Sequence, residues 1–149
     1  MKSILVATIL FFSLKAAAQK TEVVNNTKTR AALFTKTLLW IEKNWGDPAK
    51  VIESKDETTG MILVKAGLKS TPKTDGFSVK GQTLTEVTMI VENGKATINF
   101  AHTIFKWNAG TIWHLEDNNG SAQQEKWKAD VVKEINELLT SYKADLQAN

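Results

Sequence analysis

His102 and His114 are the only histidines of a chain that has no cysteine. Imidazole chemistry must rest on those two, and there is no thiolate nucleophile, disulfide framework or Cys-based metal site. His114-Leu115-Glu116 places a carboxylate two residues after an imidazole. On a strand, i and i+2 share a face, so this pair could ligate a cation or pass a proton. A metal site usually takes three or four protein ligands, and two isolated histidines are a weak start. The plain alternative is a hydrogen-bonded core or edge histidine. His102 follows Phe100 onto the apolar face of its strand unless a bulge resets the alternation. No Gly-x-Ser-x-Gly elbow and no Gly-rich phosphate loop occurs. The carboxylate pairs Asp56-Glu57 and Glu116-Asp117 fall in turns, where such residues are solvated or capping. No motif signals a cofactor.

Tryptophan is the more suggestive residue, with five in the chain. Trp40, Trp45 and Trp127 sit on helical stripes beside other apolar residues, which reads as core. Trp107 and Trp113 flank Asn108-Ala109-Gly110, with Phe105, Lys106 and His114 close by. Aromatic rings with polar tips near a turn can form a stacking platform for a sugar, a peptide or another chain. The candidate ligand or partner contacts are therefore Phe105, Trp107, Trp113 and His114. The competing reading buries these rings along an edge strand under the C-terminal helix.

The elements that would position these residues follow from period and turn chemistry. Glu22-Val23-Val24 is a short β-like run. Phe34, Leu38, Ile41 and Trp45 form one stripe of a helix, stopped by Gly46-Asp47-Pro48. Val51-Ile52 opens a strand, Asp56 to Gly60 turns, and Met61 to Leu68 returns. Residues 69–83 read as a polar loop holding a short strand at Phe77-Ser78-Val79. Asn93-Gly94 then predicts a two-residue type I′ hairpin with φ > 0 at both positions. Counting outward pairs Glu92 with Lys95, Val91 with Ala96, Met89 with Ile98 and Val87 with Phe100. Those apolar residues share one face, while Thr88, Thr97, Asn99 and, exceptionally, Ile90 take the other. Thr111 to Leu115 adds an edge strand or extends the meander. Ser121 to Gln124 matches a capping box, and Trp127, Val131, Ile135, Leu138 and Tyr142 mark a long final helix. The fold class is α+β, an antiparallel sheet of about four to six strands with two helices on one face, in the order β-α-β-β-β-β-α.

Met1 to Ala18 reads as an export signal, and residues 19–149 as one domain. Lys2 supplies the charge, Ile4 to Leu14 the apolar run, and Ala16-Ala17-Ala18 the small-residue cleavage pattern. No later stretch has the roughly 20 apolar residues of a membrane span. The mature chain is thus expected in the periplasm or outside the cell. Removing the signal takes Lys2 and Lys15 and no acid, so a formal charge of +3 falls to near +1. Lysines are scattered and Arg30 is the sole arginine. Nothing here makes the basic face that nucleic-acid binding needs.

Several of these features resemble an exported bacterial family of domains of unknown function with a TATA-binding-protein-like fold. They are the signal, the helix through Trp40-Ile41, Val51-Ile52, Asp56, Gly60-Met61-Ile62, Glu92-Asn93-Gly94-Lys95 and the final helix. The resemblance covers roughly Thr21 to Leu146 and rests on turn and packing residues. It implies the fold and export, with no catalytic residues to carry over and nothing about DNA. The leading expectation is a non-enzymatic binding or interaction module of the cell envelope, its partner a protein, a peptide or a glycan. Its surface would be the Phe105–His114 region together with the sheet face turned away from the helices. The alternatives are a small periplasmic hydrolase or metal-dependent enzyme using His102, His114 and Glu116, and a structural envelope subunit.

Overall fold

A computed structural model describes residues 19–74, 77–108, 110–117 and 120–148. The expected signal, Met1 to Ala18, lies outside the described residues. The strands are β1 (Lys20–Asn25), β2 (Ile52–Asp56), β3 (Met61–Leu68), β4 (Lys73–Thr74), β5 (Phe77–Ser78), β6 (Gly81–Glu92), β7 (Lys95–Trp107) and β8 (Ile112–His114). The helices are α1 (Arg30–Trp45), α2 (Pro48–Val51) and α3 (Ala122–Gln147). One antiparallel sheet of six strands runs β1-β7-β6-β3-β2, with β8 paired to the far half of β7. β4 and β5 form a separate small ribbon.

The β6–β7 hairpin has the register that binary patterning predicts. Glu92 faces Lys95, Val91 Ala96, Met89 Ile98 and Val87 Phe100. Its turn differs from the expected type, because Gly94 alone takes a positive φ (73°). Bonds from outside the hairpin hold it. Asn93 Oδ1 accepts from the Arg30 N–H at 2.8 Å, and Gly94 exchanges backbone bonds with Asn26 and Lys28 at 2.8 and 3.0 Å. The turn is thereby tied to the start of α1, and those bonds outweigh the intrinsic Asn-Gly preference.

A bulge changes the phase of β7. Leu84 pairs with Ile104 but Glu86 with Ala101, so Thr85 faces two residues, His102 and Thr103. His102 takes φ +48°, in the left-handed region. The expected apolar-face placement of His102 is therefore overturned, and its side chain is exposed. The extra residue lets Phe100 and Phe105, an odd number of positions apart, both enter the core. Thr85 and Thr103 meet there at 2.9 Å, and Thr85 Oγ1 also reaches the Ala101 carbonyl at 3.3 Å. The hydroxyl pair covers the polar cost of the bulge inside the core.

Both long helices lie on one face of the sheet. Thr29 caps α1, and Gly46, at φ 77°, closes it with a bond to the Glu42 carbonyl at 2.9 Å. Pro48 does more than stop the chain. It opens α2, whose N-cap Asp47 accepts from the Ala49 N–H at 3.0 Å. The buried face of α1 is Leu33, Phe34, Thr37, Trp40 and Ile41, so Leu38 and Trp45 move to its margin. On α3 the stripe continues through Leu139 and Leu146, with Leu138 at the margin. Ser121 caps α3 at 3.2 Å as expected, but the Gln124 side chain turns to Asp117 Oδ2 at 3.3 Å rather than back to the cap. The last carbonyls of α3 have no basic residue of their own turn. Lys28 and Lys36 reach across to the Ala148 carbonyl at 3.0 and 2.7 Å, and Asn26 Nδ2 donates to Leu146 at 2.8 Å. These donors satisfy the helix end and suit its negative dipole.

The 69–83 segment departs from a plain loop at its end, since β6 already begins at Gly81. Edge strand β2 exposes Glu53, Ser54, Lys55 and Asp56, a charged edge that discourages pairing with another sheet.

Candidate functional site

The four residues expected to make contacts separate in the structure. Phe105 is wholly buried and its ring cannot meet a partner. Trp107 and Trp113 are half-buried and packed against the core. His114 is exposed. β8 is responsible for this division. Its register sets Trp113 opposite Phe105, on the helix side, and His114 opposite Ile104, on the uncovered side. Gly81, opposite Trp107, leaves the space that Phe105 fills. A Cβ there would stand 2.5 Å from Phe105 Cζ and 2.5 Å from the Lys106 carbonyl oxygen.

Phe105, Trp107 and Trp113 come together with a fourth ring from α3, Trp127. Trp107 and Trp113 meet edge to face at 5.5 Å, and Phe105 and Trp113 both reach Trp127, at 6.2 and 6.1 Å. Trp127 Nε1 donates to Thr83 Oγ1 at 3.1 Å, and Thr83 in turn donates to the Ser70 carbonyl. The buried Trp107 Nε1 has no partner among the described residues. Asp117 fastens the same corner. It accepts from the His114 N–H at 3.1 Å and from Gln124, and its carbonyl accepts from Lys128. The cluster positions β8 and the start of α3, and β8 carries Ile112 and His114 to the other face.

Among the described residues, His102 and His114 do not assemble a metal centre, and no three of His, Asp and Glu stand close enough together to hold an ion. Asp56 is the carboxylate whose affinity for protons is visibly lowered. Thr59 Oγ1 donates to it at 2.9 Å and the Thr58 N–H at 2.8 Å, and both bonds favour the charged form. It serves the β2–β3 turn.

The other part of the expected surface is the face of the sheet that no helix among the described residues covers, where Ile90 is the apolar exception. Val23 pairs with Thr97, Thr97 with Ile90, and Ile90 with Met61, so these side chains make one row across four strands. Val23, Ile90 and Met61 are 48, 42 and 43% exposed. Leu63, Leu84 and Ile104 lie further along the same face, half-buried, and Ile112 at its margin is 44% exposed. Monomeric proteins scatter apolar surface, but an ordered row on an uncovered sheet is the geometry of an interaction patch. No helix among the described residues is long and apolar enough to cross a membrane.

The fold is that of two solved bacterial proteins. A DUF4468 family protein from Bacteroides ovatus superposes with a TM-score of 0.71 at 11% identity, over 88% of this chain and 86% of its own. A TBP-like protein from Parabacteroides distasonis superposes with a TM-score of 0.61 at 12% identity, over 85% of this chain and 92% of its own. The protein is therefore an α+β domain of TBP-like fold, as the turn and packing residues of the sequence implied. At such identities the likeness is one of fold alone. No protein-family model matches the chain, and no curated protein matches it in sequence.

Proposed function

We propose that this chain is an exported, non-enzymatic interaction module of the cell envelope that docks a partner protein on the uncovered face of its sheet. The observation that carries the reading is the row Val23, Ile90 and Met61, three aliphatic side chains left over 40% exposed on a rigid six-stranded platform. Full burial of such a side chain from water is worth roughly 1.5–3 kcal/mol, so covering the two fifths still exposed contributes roughly 0.6–1.4 kcal/mol each. The partner is a protein with a flat apolar patch of its own. Ile112 and His114 form the margin of the surface, held there by Trp107 and Trp113 on the opposite side of β8. Export is supported by the signal pattern and by the position of β1. Its first residue is Lys20, so a cut after Ala18 leaves every described strand intact.

The test compares the wild-type chain with an Ile90→Lys, Met61→Glu variant as bait for envelope proteins, alongside mass measurement of the exported form. The reading expects a mature chain starting at Gln19 and a stoichiometric partner retained by wild type and lost by the variant. Equal retention by both, or an intact Met1 on the exported chain, overturns it.

A further inference from the structure

On the helix-bearing side, away from the docking face, a cleft of about 740 Å³ lies between the end of α1, the middle of α3 and the segment after β3. That volume is within the range of small-molecule sites. Its apolar wall is Trp45 with Leu138, both partly buried. The Trp45 ring is fixed, standing edge to face with Trp40 at 5.0 Å and with Phe100 at 6.4 Å.

The polar wall is equally ordered. Glu134 accepts from the Lys69 N–H at 2.7 Å, the Ser70 N–H at 2.8 Å and the Ser70 hydroxyl at 2.6 Å, which pins the segment after β3 to α3. Asn44 spends its Nδ2 on the Trp40 carbonyl at 2.9 Å and keeps Oδ1 as an acceptor. Ser141 Oγ accepts from Trp40 Nε1 at 3.2 Å and keeps its own proton to donate. Lys69, Lys73 and Lys133 offset Asp130, Glu134 and Glu137, so the lining carries no net formal charge. The ion pairs among the described residues involve none of these six.

We propose that this cleft binds a neutral oligosaccharide, one pyranose face resting on Trp45 and its hydroxyls bonded by Asn44, Asp130, Glu137 and Ser141. Charge balance selects a neutral ligand, since an anion meets Asp130 and Glu137 while a cation meets three ammonium groups. A wholly apolar ligand would strand those groups without water or partner, which costs free energy. A pyranose combines an apolar face with a ring of donors and acceptors, and the two walls match that pattern.

Calorimetric titration of the purified protein with maltotetraose, cellotetraose and chitotetraose tests this, with tetragalacturonate and tetralysine as charged probes. At least one neutral tetrasaccharide should bind, and Trp45→Ala should weaken it by about tenfold or more. Trp45→Ala can also loosen the core, so an Asp130→Ala, Glu137→Ala variant, altered only at exposed positions, is the second arm. It should weaken binding by a similar factor at unchanged melting temperature. Failure of all three neutral ligands, preference for a charged probe, or binding indifferent to the double variant overturns the proposal.

Discussion

Ile90 and Met61 stand directly opposite each other across the β3–β6 ladder, on the face of the sheet that no helix among the described residues covers. Directly opposed side chains are the unit of sheet stabilisation, yet both of these leave over two fifths of their surface in water. Such a pair keeps a large share of its apolar surface available to an interface.

Replacing the pair by opposite charges, Ile90→Lys with Met61→Glu, should therefore leave the fold intact. Cross-strand attraction offsets the lost apolar contact, and the expected change in stability is within about 0.5 kcal/mol. Urea denaturation measures it. A loss of several kcal/mol would show that the face is part of the core.

Tyr142 is buried and is the only tyrosine. Thr37 donates its proton to the Leu33 carbonyl at 2.9 Å, so the hydrogen bond between the two hydroxyls, 3.0 Å long, has Tyr142 as donor. Burial pushes the phenol from its ordinary value of 10.0 up to about 12. The folded state thus holds a proton that the unfolded chain releases, and stability present below pH 10 is lost as pH rises toward 12. Wild type should lose roughly 2–3 kcal/mol over that window relative to Tyr142→Phe, which itself costs about 1 kcal/mol at neutral pH for the lost bond. Tyrosinate absorbance should titrate late and together with unfolding. Ionisation near 10 in the folded chain would contradict this.

The bulge at His102 makes an opposed pair of predictions. Glycine adopts φ +48° without strain, so His102→Gly should be neutral or stabilising by up to about 1 kcal/mol. A β-branched residue there should cost roughly 1–2 kcal/mol, and thermal melts should place His102→Gly at or above wild type and His102→Val below it. Identical shifts would deny the left-handed conformation.

Trp107 and Trp127 differ by one hydrogen bond. Trp127→Phe breaks the bond to Thr83, whereas Trp107→Phe removes a buried donor that has no partner among the described residues. Trp127→Phe should thus be the more costly by at least about 1 kcal/mol in denaturant unfolding. The reverse order would mean that Trp107 Nε1 is bonded.

Hairpin register, helix caps and the one-sided sheet were legible because each depends on neighbours in sequence. Asn93-Gly94 marks the turn, alternation from Val87 to Phe100 sets the face, and Ser121 announces α3. The bulge was half legible. Phe100 and Phe105 lie five positions apart, an odd spacing that strict alternation cannot bury on one face. The α1 stripe turns toward Thr37 and Trp40 because Thr37 is buried with bonds to Leu33 and Tyr142, which no hydrophobic period reports. The Trp107–Trp113 pair had the composition of a binding platform. Its placement depended on which face of β8 meets α3, and that is decided by tertiary packing. The cleft beside Trp45 joins residues 44–45, 67–73 and 130–141, segments whose meeting no local signal encodes.

Site-specific photo-cross-linking in the living cell tests the docking face most directly. A benzophenone amino acid would replace Ile90 or Met61, with exposed Leu39 on α1 as the control position. Positions 90 and 61 should each yield the same single envelope-protein adduct, and position 39 should yield none. No adduct from 90 and 61, or the same adduct from 39, would contradict an interaction surface on the uncovered sheet.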